Sequence, residues 1–378
     1  MQEKGVHGDK VIRMLRDSRK KDLTYARGRI LSSMCTSPHP LTREVYPMFM
    51  ETNLGDPGLF QGTKALEEEA VRILGRLLGR EEAAGYILSG GTEANISALW
   101  IARNRMRRTS PEIILPDSAH FSLDKAADML GFKAVRAPLL PDHSVDVERV
   151  KELVTGNTAA LVGVAGSTEY GAVDDIEALS DIALDAGVHL HVDAAFGGFV
   201  LPFLKELGYD SRPFDFSVQG VSSMTVDPHK MGMAPIPAGA LLLRSAEMFK
   251  VIETSSPYLT ERKQYTVTGT RSGAAAASVY ALLRHLGKEG YRRNVESCMK
   301  VTLLLYKRLT SLGLRVEKPW MNILVFDDDG GVIRGKLQER GWVLSRTRKG
   351  EARLVIMPHV TKEVAEEFIR DLRDVMEK

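Results

Sequence analysis

Val188-His189-Leu190-His191-Val192-Asp193-Ala194-Ala195 runs an apolar strand pattern into a carboxylate, and Ser222-Ser223-Met224-Thr225-Val226-Asp227-Pro228-His229-Lys230 runs a second into a lysine. Outward from this pair, strands and helices alternate. Residues 86–89, Glu112–Pro116 and residues 159–165 lie upstream and Gly239–Leu243 downstream, all short and mostly apolar. Residues 94–106 and Ile176–Ala186 carry helical periodicity between them. The alternation predicts an α/β fold: a mostly parallel sheet with helices on both faces and a site at the strand ends.

Residues 1–60 mix short helical patterns with Pro38, Pro40, Pro47 and Pro57 and read as an arm that bears on the substrate pocket. Residues 61–286 hold the alternating pattern. From about residue 287 the character shifts to an α+β unit: helical periodicity near 295–312 and 333–340, strands near 322–326 and 352–356, and a last helix from Lys362. The expected organisation is therefore an arm (1–60), a large domain (61–286) and a small C-terminal domain (287–378).

The 378 residues carry 51 Lys+Arg against 49 Asp+Glu, a net charge of +2 that offers no field for nucleic acid or an anionic membrane. The basic run Arg103-Asn104-Arg105-Met106-Arg107-Arg108 reads as a solvated helix end. The two cysteines, Cys35 and Cys298, fit a reducing compartment rather than a disulfide framework. The first ten residues lack the apolar core of a signal peptide, and no apolar run reaches the roughly 18 residues of a membrane span. The expectation is a soluble, cytoplasmic protein. No Cys/His cluster of metal-binding type is present.

A carboxylate and a lysine on neighbouring strand ends are what pyridoxal 5′-phosphate (PLP) requires. The lysine forms a Schiff base with the aldehyde, and the carboxylate keeps the pyridine nitrogen protonated so that the ring accepts electrons. Asp193 and Lys230 fit those roles. A carboxylate closing a buried run is costly without a cation, and the pyridinium would be one. Ser89-Gly90-Gly91-Thr92-Glu93-Ala94-Asn95 sits between a strand and a helix, where Gly90, Gly91 and Thr92 can present N–H groups and a hydroxyl to a phosphate. A Gly-Gly-Thr turn alone is equally a plain turn with an N-cap. In order with Asp193 and Lys230 it becomes specific.

With Gly55-Asp56-Pro57-Gly58, His120-Phe121-Ser122, residues 193–198 and 227–231, and Gly269-Thr270-Arg271, these motifs cover nearly the whole chain. The chain resembles the group II PLP-dependent amino-acid decarboxylases, and among them the archaeal L-tyrosine/L-aspartate decarboxylases. The resemblance implies a fold-type-I PLP-dependent transferase fold with a seven-stranded sheet. It further implies a homodimer with shared active sites. His229 would reach the cofactor phosphate and Ser223 would contact the cofactor. Ala195 would lie against one face of the ring and His120 would stack on the other, near the substrate for proton handling. Thr168, or its neighbour Ser167, would approach the phenolic oxygen.

The resemblance also places a Tyr-Leu pair, here Tyr258-Leu259, on a mobile loop (residues 253–264) with the tyrosine protonating Cα. It sends Gly269 and Thr270 across the dimer interface towards the partner's phosphate, and it gives Arg353 a substrate carboxylate. The implied reaction is α-decarboxylation of L-tyrosine, L-aspartate or both. Tyramine would feed methanofuran synthesis and β-alanine coenzyme A synthesis. The arm, at residues 32–40, is expected to line a roomy mixed pocket with tyrosine slightly favoured. Rival readings are a carbon–carbon lyase of the sphingosine-phosphate type, an L-glutamate decarboxylase, an aminotransferase, and a non-catalytic protein of the same fold. Retention of both Lys230 and Asp193 speaks against the last.

Overall fold

The computed structural model describes residues 1–377. Its large sheet contains β1 (Ala84–Leu88), β2 (Glu112–Pro116), β3 (Lys133–Ala137), β4 (Thr158–Val164), β5 (His189–Asp193), β6 (Val221–Val226) and β7 (Gly239–Leu243). The strand order is β1-β7-β6-β5-β4-β2-β3, with β7 antiparallel to both neighbours and the other pairs parallel. This is the seven-stranded, mostly parallel α/β sheet expected.

Burial explains which strands were readable. Every residue of β2, β4, β5 and β7 is buried, as strands covered on both faces require. β3 is different. Its sequence, Lys-Ala-Val-Arg-Ala, has no apolar run, because it is an edge strand whose first residues are exposed. Lys133 instead pairs with Glu112, and Arg136 donates to the Pro116 carbonyl. Charged residues at a sheet edge also discourage pairing with another chain.

Helix Ile176–Ala186 packs on one face, where Leu190 and Val192 join Ile176 and Leu179 in the main core. Helix Gly91–Met106 covers the other face, against β4, β5, β6 and β7. Its start, next to the C-terminal ends of β5 and β6, is where the site forms.

Helix Gly273–Ser311 spans two cores and breaks its helical dihedrals at Gly287, where φ is +55°. Leu282 and Leu283 belong to the main core, whereas Val301, Leu305 and Leu309 pack with Trp342, Leu354 and Phe368. That second core sits under a three-stranded antiparallel sheet of Ile323–Phe326, Ala352–Val355 and Ser345–Arg346. The arm is stitched to it: Leu31 N–H donates to the Val343 carbonyl, Val355 N–H to the Leu31 carbonyl, and the Leu31 side chain is buried among those residues. Helix Gly8–Arg19 buries nothing, leaving Val11, Ile12, Met14 and Leu15 exposed. No helix of the described residues is long and apolar enough to cross a membrane.

Candidate active site

The ends of β4, β5 and β6 and the start of helix Gly91–Met106 enclose a cavity of about 380 Å³. Gly90, Gly91, Thr92, His120, Thr168, Asp193, Ala195, His229 and Lys230 all line it. The sequence motifs thus converge on one space, although 140 residues of chain separate Gly90 from Lys230.

Lys230 follows β6 in a tight turn, its N–H donating to the Asp227 carbonyl. Its Nζ lies 3.1 Å from Asp227 Oδ2. Burial works against the charged amine, but Asp227 and then Asp193 outweigh it and hold its pKa above the usual lysine value. Asp193 closes β5, with Oδ2 accepting from Asn95 Nδ2 at 3.0 Å and Oδ1 from the Ala195 N–H at 3.1 Å. His120 caps helix Phe121–Leu130, and its Nδ1 is 2.8 Å from Ser122 Oγ. His229 donates from Nδ1 to the Ala238 carbonyl at 2.6 Å. Burial lowers the pKa of both histidines.

Glycine is required at the helix start by close approach. A Cβ on Gly91 would lie 2.9 Å from Asp227 Oδ2 and 3.4 Å from Ala195 Cβ, and a Cβ on Gly239 would strike the Gly90 Cα at 2.4 Å. Glu93 braces the turn, accepting from the Ser89 N–H and hydroxyl on one side and from the Thr268 N–H and hydroxyl on the other. Burial opposes ionisation of Glu93, yet these hydrogen bonds leave its pKa below the usual carboxylate value.

Several expected residues stand elsewhere. Ser223 does not line the cavity; its hydroxyl is buried between His189 Nε2 at 2.7 Å and His191 Nδ1 at 2.8 Å. Two of the expected groups divide cleanly, since Thr168 lines the cavity while the Ser167 hydroxyl accepts from the Ala172 N–H. Tyr258 is 85% exposed in the loop between Thr254–Ser255 and Lys263–Gln264, so the fold does not bring it to Lys230 of its own chain. Gly269 and Thr270 also lie outside the cavity lining. The following Arg271 is anchored in the core by Glu67 and the Leu54 and Ile87 carbonyls.

Arg353 is buried on the small sheet beyond the cavity lining, with Nη1 2.7 Å from Ser345 Oγ and 3.4 Å from the Ser32 carbonyl. Its Nε and Nη2 have no partner. Burial lowers its pKa to about 10, against the pull of Glu169. Of the arm, Met34 lines the cavity, whereas Thr36 is bonded to His359 and His39 packs on His285.

The sequence offers Asp227 only as part of a motif, with no role of its own. It closes an apolar strand run just as Asp193 does, and that is the signal that could have marked it. Asn95 likewise falls on the buried face of its helix, beside Ala94, Ala98 and Leu99.

A sequence profile of the pyridoxal-dependent decarboxylase conserved domain matches residues 63–317. The chain belongs to this family. It is 50% identical over 377 residues to an L-aspartate/L-glutamate decarboxylase of Pyrococcus horikoshii, covering 98% of each chain. It is 50% identical over 358 residues to a probable L-tyrosine/L-aspartate decarboxylase of Methanothermobacter thermautotrophicus, covering 93% of this chain and 99% of the other. Among solved structures it resembles the Burkholderia pseudomallei sphingosine-1-phosphate lyase, at 30% identity and a TM-score of 0.93 over 100% of this chain and 92% of that one.

The cavity fits the family's cofactor on its own terms. Lys230 supplies an amine, Asp193 a fixed carboxylate, and the helix start bare N–H groups where a Cβ at Gly91 would press on Asp227 and Ala195. The buried, unbonded Asp227 Oδ1 leaves a polar atom awaiting a partner.

Proposed function

We propose that this decarboxylase removes the α-carboxylate of L-aspartate, and of L-tyrosine as a second substrate. The observation that carries the reading is Arg353: a guanidinium buried with two N–H groups unpartnered calls for a carboxylate. L-Aspartate appears in the names of both relatives, beside L-glutamate in one and L-tyrosine in the other, which supports taking aspartate as the first substrate to test.

Lys230 would hold the cofactor covalently. Gly90, Gly91 and Thr92, with His229, would take its phosphate, Asp193 its ring nitrogen, His120 and Ala195 its two faces, and Thr168 its phenolic oxygen. When bound, the cofactor supplies an electron sink for the pair left by departing CO₂. Arg353, just beyond the cavity lining, would take a substrate carboxylate, either the one that leaves or the β-carboxylate of aspartate. Met34, Phe196 and Ile236 give the cavity apolar wall, and a desolvated wall favours loss of a charged carboxylate as neutral CO₂. The proton that replaces it at Cα comes from the Tyr258 hydroxyl of a second copy, or from His120 Nε2.

A homodimer supports that route. The exposed Tyr258 loop and the apolar face of helix Gly8–Arg19 are both surfaces that a second copy can cover. Two free cysteines accord with a cytoplasmic setting. β-Alanine would then supply coenzyme A synthesis, and tyramine methanofuran synthesis.

Incubating purified protein and PLP separately with L-aspartate, L-tyrosine, L-glutamate and a phosphorylated amino alcohol, and measuring CO₂, amine and aldehyde, tests the reading. Stoichiometric β-alanine and CO₂ support it. Use of glutamate alone, or cleavage of a phosphorylated amino alcohol without CO₂, would replace it with one of the rival readings.

A further inference from the structure

β5 carries His189, His191 and Asp193 at alternate positions, so all three side chains face the helix Gly91–Met106. All are buried where an apolar seam would be expected. Ser223 and Thr225 of β6 stand in register with His191 and Asp193, and Asn95 meets them from the helix. The seam is closed by hydrogen bonds whose directions can be assigned from one end.

Asn95 Nδ2 donates to Asp193 Oδ2 at 3.0 Å and to Ser122 Oγ at 2.9 Å. The reverse amide orientation would set its oxygen against a carboxylate, acceptor against acceptor. Asn95 Oδ1 therefore accepts, from Thr225 Oγ1 at 2.7 Å and from His191 Nε2 at 3.0 Å. His191 then carries its proton on Nε2, and its bare Nδ1 accepts from the Ser223 hydroxyl at 2.8 Å. Ser223 Oγ in turn accepts from His189 Nε2 at 2.7 Å. The bare Nδ1 of His189 faces Arg105 Nη1, a donor, at 3.5 Å.

Every bond points from Arg105 towards Asp193. Aligned bonds in a dry wall polarise one another. Both imidazoles must be neutral for this pattern, and burial does hold both pKa values down, that of His191 to about 4; His191 and Arg105 add to the effect at His189. A branch leaves at Ser122. The Ser122 N–H donates to His120 Nδ1 at 3.3 Å, so that nitrogen is bare and also takes the hydrogen of the Ser122 hydroxyl, whose oxygen accepts from Asn95. The His120 proton is thereby placed on Nε2.

We propose that Asn95 is a positioning residue for two groups of the site. Through Asp193 it holds in place the carboxylate that would meet the cofactor's ring nitrogen, and through Ser122 it holds the His120 proton on Nε2. The His189–Ser223–His191 chain, anchored at Arg105, fixes the orientation of Asn95 itself. This rests on reading the Lys230 cavity as the cofactor site, but its first test does not need the cofactor.

Imidazole ¹⁵N spectra of the cofactor-free protein report which ring nitrogen carries the proton. His120, His189 and His191 are each expected to show a protonated Nε2 and a bare Nδ1. For His189 and His191 the pattern should persist from about pH 8 down to about pH 5.5, where an ordinary histidine is charged. A protonated Nδ1 on His191, or a charged His191 at about pH 7, overturns the proposal without any variant being made. In Asn95→Leu the His120 signal is expected to become a mixture of tautomers, and PLP affinity to fall about 10- to 100-fold, the worth of a hydrogen bond to a charged group. His191→Gln, whose amide can still donate to Asn95, is expected to keep the His120 tautomer, whereas His191→Phe loses it. An unaltered His120 signal and unaltered PLP affinity in a folded Asn95→Leu also overturn the proposal. Decarboxylase failure with the expected tautomers would count against the function and leave this inference standing.

Discussion

Lys230 Nζ stands 3.1 Å from Asp227 Oδ2 while Asp227 Oδ1 is buried and unbonded, so one carboxylate is half committed to the lysine. Asp227 does more than Asp193 to raise the lysine pKa. The amine must lose its proton before it can attack an aldehyde.

Asp227→Asn removes the stronger of the two attractions for the ammonium, so the Lys230 pKa falls and covalent PLP addition becomes faster at neutral pH. The pH profile of addition, followed by the yellow colour of the cofactor-free protein on reconstitution, is expected to move to lower pH. Lys230→Ala abolishes the borohydride-reducible linkage altogether. A profile that stays put or moves upward would show that Asp227 does not set the lysine's protonation.

Gly91→Ala should leave the fold intact and empty the site. Its Cβ meets the Asp227 carboxylate at 2.9 Å, at the helix start proposed to hold the phosphate. PLP should be lost on dialysis at concentrations that leave the wild type loaded. Far-UV circular dichroism should be unchanged, since Gly91 begins a helix that alanine favours. Full retention of PLP would remove the helix start from the site.

Glu67 and Arg271 form an ion pair with side chains 5% and 6% exposed, and Arg271 also bonds two backbone carbonyls. Removing one partner strands the other in the core. Glu67→Leu is expected to destabilise the protein by about 3–5 kcal/mol, read from urea unfolding. It should also loosen the Thr268-Gly269-Thr270 segment, in which Glu93 ties Thr268 to the turn at residues 89–91.

Tyr258 yields a prediction about assembly. Tyr258→Phe is expected to bind PLP and substrate but to form amine roughly 10²–10⁴-fold more slowly, as when a general acid is lost. If the tyrosine acts across the dimer, mixing Tyr258→Phe with Lys230→Ala chains regenerates one complete site per mixed dimer. If it acts within its own chain, or if His120 carries the proton, no such recovery appears.

How far the sequence was legible divides along physical lines. β2, β4 and β7 announce themselves because burial on both faces demands apolar runs. β3 does not, because an edge strand with exposed Lys133 needs none. The Asp193, Lys230 and Gly90-Gly91-Thr92 set could be read because each is a polar or glycine interruption at the end of an apolar stretch. Ser223 misled for the opposite reason: its place in a strand carries no sign that His189 and His191 would consume its hydroxyl. Asn95 is bonded to residues about a hundred positions away, a pairing that only the folded sheet brings about.

Arg353 decides between two accounts of specificity. Its Nη1 is held by Ser345, leaving Nε and Nη2 for a ligand. If those groups take the α-carboxylate, they serve every substrate alike. Arg353→Gln should then lower kcat/KM for L-aspartate and L-tyrosine by the same factor, roughly 30-fold or more for truncating one side of a buried charge pair. If they take the β-carboxylate, aspartate suffers and tyrosine, which has none, does not. Arg353→Lys separates geometry from charge, because an ammonium keeps the charge and loses the two-pronged fit. It should recover only a minor part of the loss. Steady-state kinetics of both variants on both amino acids distinguish the outcomes: equal losses place the guanidinium on the carboxylate that leaves, and a loss confined to aspartate assigns it to side-chain recognition.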